Sequence, residues 1–316
     1  MFAALKEVGR LAAVVSSCSV LCFTGCGDDD APAGTGSVQV LLEAESTIVD
    51  GIAAGPGAED ITDGWSVSFS KYLIAVGHVE LARSTMPEPH LHADVDYVVD
   101  LHTLPPAGFQ LAQFEGVEAG RWDEFGYETP EASATSMRAD NVSQADFDEM
   151  VAGGFTYLIE GTLTKSDGQS CPPGGSCRAA PSLSFRFGVS APTAFGGCQA
   201  EEGARGLAVI ADGTTAVSAT IHGDHMFFTA FPTTVETLTR KAQWLANADT
   251  DGDNTVTRAE LEALDPAALF PSAEYSLTGA PIPVVTSWDF IVAQLKAQGH
   301  FQGEGECELD GTTHAR

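Results

Sequence analysis

Apolar and polar residues alternate along much of the chain between Ser37 and Phe231, and a period of two predicts strands. Val38-Gln-Val-Leu-Leu is a short apolar run. After the turn signal Thr62-Asp-Gly, Trp65, Val67 and Phe69 alternate with serines, and residues 72–81 form a second run. Residues 157–164 and 183–189 are expected as two strands joined by a cysteine-bearing loop. Residues 207–210 and 216–221 flank Asp212-Gly213-Thr214, a hairpin signal. Short strands punctuated by Gly, Pro and Asp imply a mainly β fold over residues 38–231, an antiparallel β-sandwich or barrel-like domain.

The period lengthens to that of a helix in a few places. Ser143 and Asp146 have the spacing of a capping box, and Phe147, Met150 and Val151 follow at helical intervals up to Gly153. Ser287 precedes Trp288, Ile291, Val292 and Leu295, an amphipathic stripe stopped by Gly299. Val235, Leu238, Ala242, Leu245 and Ala248 form another stripe, and Leu261 and Leu264 begin one more. Residues 232–316 are therefore expected as a C-terminal α-helical module. No internal repeat is visible.

Between the last two stripes lies Asp249-Thr-Asp-Gly-Asp-Asn-Thr-Val-Thr-Arg-Ala-Glu260. Oxygen-bearing side chains recur at every second position, which suits a hard cation that takes six to eight oxygen ligands. This run resembles the EF-hand calcium loop. The resemblance implies carboxylate ligands from Asp249, Asp251 and Asp253. It also implies a carbonyl from Thr255, a water held by Thr257, and a bidentate carboxylate from Glu260. The family places glycine sixth, where the backbone turns left-handed. Asn254 stands there, and asparagine tolerates that conformation better than other residues with a side chain. The resemblance covers only the loop and its flanks. No second acidic loop of this kind is visible. The bland reading is a solvated acidic loop in an acidic protein.

Charge and cysteines add the setting. Lys6 and Arg10 precede a mostly apolar stretch over residues 11–23, the outline of a secretory signal. Phe23-Thr-Gly-Cys26 then resembles the bacterial lipoprotein box, which implies cleavage after residue 25 and a lipid on Cys26. Phe23 replaces the usual leucine of that box. Residues 26–37 read as a flexible tether. The expected location is the cell envelope, with a membrane contact through the lipid only, since no later stretch is apolar enough to span a bilayer. The net charge of −29 disfavours nucleic acid as a partner and attracts cations. Cys171, Cys177, Cys198 and Cys307 remain in the mature chain, an even number that implies two disulfides. Four cysteines allow three connectivities. The tight Pro-Pro-Gly-Gly-Ser loop favours Cys171–Cys177, leaving Cys198–Cys307.

The histidines carry the other chemical signal. On a strand, His90, His92, Asp94, Asp96, Asp100 and His102 share one face, and Leu91, Ala93, Val95, Tyr97 and Val99 share the other. A His-x-His pair sets two imidazoles side by side, a common beginning for a zinc or copper site. His222 and His225 form a second pair after a strand. The expectation is that His90, His92, His222 and His225 converge on zinc or copper; the competing reading is an ordinary solvated sheet face. His78 and His300 have no pattern and read as structural or surface residues. No Gly-x-Ser-x-Gly, His-Glu-x-x-His or phosphate-loop motif is present. The leading function is thus a non-catalytic, calcium-binding, lipid-anchored protein with a His/Asp site for zinc or copper. The alternatives are a metal-dependent hydrolase using the same histidines and a surface adhesion or carbohydrate-binding module.

Overall fold

The computed structural model describes residues 34–231 and 238–309. The leader and Cys26, and residues 232–237, lie outside the described part. Among the described residues the fold is mainly β, and no helix is long and apolar enough to cross a membrane.

Two larger sheets organise it. The smaller has the strand order Gly299–Phe301, Thr214–Ile221, Thr35–Ala44, Phe109–Glu118. The larger runs from Thr255–Val256 through Ser182–Val189, Tyr157–Thr164, Ser66–Arg83, Glu124–Thr129 and Thr193–Gln199 to Glu306–Leu309. Met86–Asp100 branches from it by pairing with Ser66–Arg83. Most pairs are antiparallel, as expected. Thr35–Ala44 and Thr214–Ile221 are parallel, however, in the register Ser37↔Thr214 to Ala44↔Ile221. Thr214 lies 177 positions beyond its partner Ser37, and a parallel pair requires a long crossover rather than a hairpin.

The two apolar runs at 65–69 and 72–81 are one strand, Ser66–Arg83. A register shift between Phe69 and Lys71 explains why they looked separate. A bulge inserts one residue and moves the inward positions from odd to even numbers. Tyr72, Leu73, Ile74, Ala75 and Val76 are then all buried, so this central strand is covered on both faces. A second shift, between Gly77 and Val79, breaks the partner strand's alternation. Asp96 and Asp100 are buried there, and Val95 is exposed. Asp100 accepts from the backbone N–H groups of Tyr72 and His102, and so works as a cap.

Tyr157–Thr164 and Ser182–Val189 pair as expected around the cysteine loop. The hairpin expected at 212–214 does not form a ladder. Asp212 makes a left-handed turn at φ 57°, but Leu207–Val209 pairs with Gly120–Trp122 while Thr214–Ile221 joins the smaller sheet. Turn chemistry fixed the reversal of the chain, and tertiary pairing chose the partners.

The helix Gln144–Gly153 is capped by Ser143, whose side chain accepts from Asp146 N, and ends at left-handed Gly154. Ser287–Leu295 is capped by Thr286 rather than Ser287, with Asp289 completing the capping box. The remaining C-terminal helices are short, Gln243–Asn247, Arg258–Ala263 and Pro266–Leu269. The C-terminal part is thus less helical than the expected module, and it gives the strands Gly299–Phe301 and Glu306–Leu309 to the two sheets.

Both expected disulfides are present, Cys171–Cys177 and Cys198–Cys307, and they accord with export. They differ in the loop they close, with sequence separations of 6 and 109. Chain entropy gives about 2 kcal/mol for the short loop and about 4.7 kcal/mol for a loop of roughly 100 residues. Replacing Cys198 and Cys307 together by serine is therefore expected to lower the denaturation midpoint more than replacing Cys171 and Cys177. Urea titration of the two double variants checks the order.

Candidate metal centre

The site starts from strand register. Ala44 and Ile221 are the last paired residues of the parallel strands, and Glu45 N then donates to Ile221 O at 3.1 Å. Glu45 and His222 therefore leave the sheet side by side. His222 N donates to Gln298 O at 3.1 Å, and Thr220 pairs with His300 on the antiparallel neighbour. A short 3-10 turn, His225–Phe227, brings the third imidazole back over the strand ends.

His222, His225 and His300 thereby form one cluster, with candidate ligand nitrogens all within 4.8 Å of one another. The three residues are 4%, 2% and 6% exposed, so the cluster is buried. The His222 ring lies against His300 with centroids 4.0 Å apart. Nε2 of His225 is 3.1 Å from Nε2 of His300. The Nδ1 atoms of His225 and His300 are buried without a well-formed hydrogen bond. A neutral imidazole has one N–H, so two facing rings share one hydrogen bond and leave the other N–H buried without a strong acceptor. Such a group costs about 1–3 kcal/mol.

Burial pushes the proton affinity of His225 well below the usual histidine value, helped by His222 and by the Arg240 guanidinium. His300 is depressed in the same way, by burial first and then by His225 and His222, with Asp224 and the Gly305 carbonyl opposing weakly. Both rings are neutral near pH 7, the form that binds metal. Carboxylates border the cluster. Glu45 Oε2 is 3.5 Å from His222 Nδ1 and accepts from Thr47 Oγ1 at 2.5 Å. Burial, then the charge of Asp224, raises Glu45, while His222 and Thr47 pull it down. Asp224 is fully buried and paired with Arg240, whose Nε donates to Oδ2 at 2.6 Å. His222, Glu45 and Glu304 make a second group of candidate ligands within 4.8 Å.

His90 and His92 do share a strand face, with ring centroids 5.8 Å apart. His90 Nε2 is 3.9 Å from Glu80, and His92 Nδ1 is 3.7 Å from Asp94. Among the described residues no group of three or more close ligands contains either of them, whereas His222 and His225 gather with His300. His300, which sequence reasoning set aside, completes the triad. In the sequence it is a lone histidine between Gly299 and Phe301; strand pairing with Thr220 supplies the rest.

The acidic loop is also ordered around its carboxylates. Asp249 is fully buried; its Oδ1 accepts from Gly252 N at 2.9 Å and its Oδ2 from Asn254 N at 3.0 Å. Asn254 adopts the left-handed conformation expected at the sixth position, φ 64°. Asp251 and Asp253 accept from Asp253 N and Thr255 N. Glu260 reaches back to accept from Thr250 N at 2.7 Å and from Thr257 N at 2.9 Å. Asp249, Asp251 and Glu260 bring oxygens within 4.8 Å of one another. Arg178 pairs with Asp249 Oδ2 at 2.5 Å and already balances one of these charges. Thr255–Val256 adds to Ser182–Val189 in parallel, so the loop's exit is held by the main sheet.

No family model matches the chain, and no curated protein matches it. Among solved structures, MbnP from Methylosinus trichosporium is similar at 11% identity, with 74% of this chain and 91% of that chain covered and a TM-score of 0.32. A likeness that loose carries no argument for fold or function.

The triad has a direct consequence for stability. Unfolding returns His225 and His300 to the ordinary histidine value near 6.5, above their folded values. The unfolded chain then binds more protons, so the stability linked to the neutral rings is complete above about pH 6.5 and is lost as pH falls toward the folded values. Each excluded proton contributes a slope of up to about 1.4 kcal/mol per pH unit. Metal-free protein is expected to lose melting temperature between pH 7.5 and pH 5.5, and the His225→Gln/His300→Gln variant to lose less. Glu45 acts in the opposite sense, but it is common to both proteins. Thermal melts in chelator across that range check this.

Proposed function

We propose that this chain is an exported, non-catalytic protein that binds a transition metal, zinc or copper, through His222, His225 and His300, on a sandwich-like β scaffold. One observation carries the reading: three buried imidazoles, two of them held neutral, face one another with their nitrogens gathered. An all-imidazole set suits zinc and copper, and excludes calcium and magnesium, which take oxygen. A metal-dependent hydrolase is less well supported, because rings at most 6% exposed leave a substrate little room beside the ion. A lipid on Cys26 would tether the protein to the cell envelope.

Titrating chelator-treated protein with zinc is expected to show one tight equivalent. The double variant His225→Ala/His300→Ala should lose it, and His90→Ala/His92→Ala should keep it. Equal binding by the first variant and wild type would overturn the assignment.

A calcium site in the 249–260 loop is a second part of the proposal, favoured by the gathered oxygens of Asp249, Asp251 and Glu260 around left-handed Asn254. Asp253, Thr255 and Thr257 would complete the shell as the EF-hand resemblance implies. The Arg178 pair reduces the charge available to the ion, so the affinity belongs to the weak range typical of extracellular modules, roughly 10⁻⁴–10⁻³ M. At a hundredfold excess over Kd calcium should stabilise the fold by about 2.7 kcal/mol. Asp251→Asn keeps an acceptor for Asp253 N but removes a charge, and is expected to diminish that increment. Identical melting of wild type in calcium and in chelator would remove calcium from the proposal.

A further inference from the structure

A buried metal centre needs a route from water. We infer that Glu304 and Glu45 form an outer docking site for a divalent cation, from which the ion passes inward by way of His222. This rests on the metal-binding reading above. His222 belongs to both ligand groups, the buried one with His225 and His300 and the outer one with Glu45 and Glu304. The three outer residues form a gradient: Glu304 is exposed, Glu45 half-buried and His222 buried. His222 presents Nδ1 to Glu45 at 3.5 Å, and its Nε2 lies 3.2 Å from Gly303 O.

The outer group is built rather than incidental. Glu304 sits on the turn between Gly299–Phe301, which carries His300, and Glu306–Leu309. Gln302 and Gly303 both turn left-handed there, at φ 52° and 85°. Gln302 N donates to Ser218 O at 3.0 Å and Gly303 N to Thr220 Oγ1 at 3.0 Å, so the turn is tied to the His222 strand. The Cys198–Cys307 bond fixes its far side. Glu45 is fixed by Thr47 and by its own backbone bond to Ile221.

The donor types set the direction of travel. Exposed carboxylates are hard and exchange readily with a hydrated divalent ion. Imidazoles hold zinc or copper more firmly. An ion caught between Glu304 and Glu45 has His222 as its next ligand, and the stack of His222 on His300 places the inner ligands beside it. The carboxylates select divalent zinc or copper(II) over a monovalent ion at this first step.

Stopped-flow loading of zinc into metal-free protein tests this, with release followed into excess chelator. Glu304→Gln, and separately Glu45→Gln/Glu304→Gln, are expected to slow loading about tenfold and to slow release as well, because a gate lies on both paths. Glu304→Gln alone guards against disturbance of the Thr47 contact. Glu115→Gln removes an exposed carboxylate at the opposite end of the Thr35–Ala44 strand and controls for net charge. Loading at the wild-type rate in both Glu304 variants would overturn the route. Faster release would also overturn it, since it would make these residues final ligands. Wild-type protein that takes up no zinc, or a His225→Ala/His300→Ala variant that takes it up fully, would instead defeat the metal-centre reading on which the route stands.

Discussion

The parallel register of Thr35–Ala44 against Thr214–Ile221 is the constraint on which the candidate site depends. Ala44 opposite Ile221 makes Glu45 and His222 neighbours, and Thr220 opposite His300 brings the third strand's imidazole to the same end. Side chains on a strand alternate with a period of two, so a slip of one residue would turn His300 to the other face. The register is itself held by burial. Val38, Val40 and Leu42 on one strand and Val217, Ala219 and Ile221 on the other are buried, and a slip would expose one of these sets. Core packing and site assembly thus have the same cause.

That arrangement carries a local cost. Three imidazoles in a dry setting lose hydration, and the Nδ1 atoms of two of them gain no strong hydrogen bond in return. The surroundings offset the cost. Asp224, wholly buried, is held by Arg240, so its charge is compensated. Tyr127 donates to His300 O at 3.0 Å, and Gln298 accepts from Tyr72 while its carbonyl accepts from His222 N. The backbone on either side of the rings is therefore tied by hydrogen bonds. On the proposed metal-binding reading, the neutral and incompletely bonded rings of His225 and His300 would favour a metal ion over a proton, since protonation would add unpaired charge in the buried interior and bind only one ring.

How much of this was legible in the sequence follows from the range of each interaction. The cap at Ser143 and the left-handed turns at Asp212 and Asn254 depend on residues within a few positions, and all three could be read. The acidic loop is local in the same sense; of the ligands that the EF-hand resemblance implies, Asp249, Asp251 and Glu260 bring oxygens together. The strand at 66–83 was read as two because a bulge at Phe69/Lys71 shifts the inward positions, and one extra residue leaves no compositional trace. The partner of Thr214–Ile221 was misjudged because a turn signal reports reversal and says nothing of which strand lies alongside. His300 shows the same limit most plainly. Its partners lie 75 and 78 positions away in sequence, and only the sheet brings them near. His90 and His92, conspicuous in sequence, gather no third ligand among the described residues.

The two proposed metal sites answer one problem set by a chain of net charge −29. Such a surface concentrates every cation, hard or soft, so attraction alone gives no selectivity. Selectivity has to come from donor type and access. In the 249–260 loop all the nearby donors are oxygens, and the loop is bracketed by the cysteine hairpin, with Arg178 and Ser170 both donating to Asp249 O. An ion bound there would brace that hairpin against the main sheet. At the triad the donors are nitrogens, and Glu45 and Glu304 border them on the outside, where an ion would still keep part of its water. Calcium would find oxygens at the outer step but none among the rings beyond it, and shedding its hydration for imidazole is unfavourable. Zinc or copper meets a stronger donor at each step inward. On this proposal the abundance of carboxylates brings cations to the surface, and the burial of three histidines decides which of them stays.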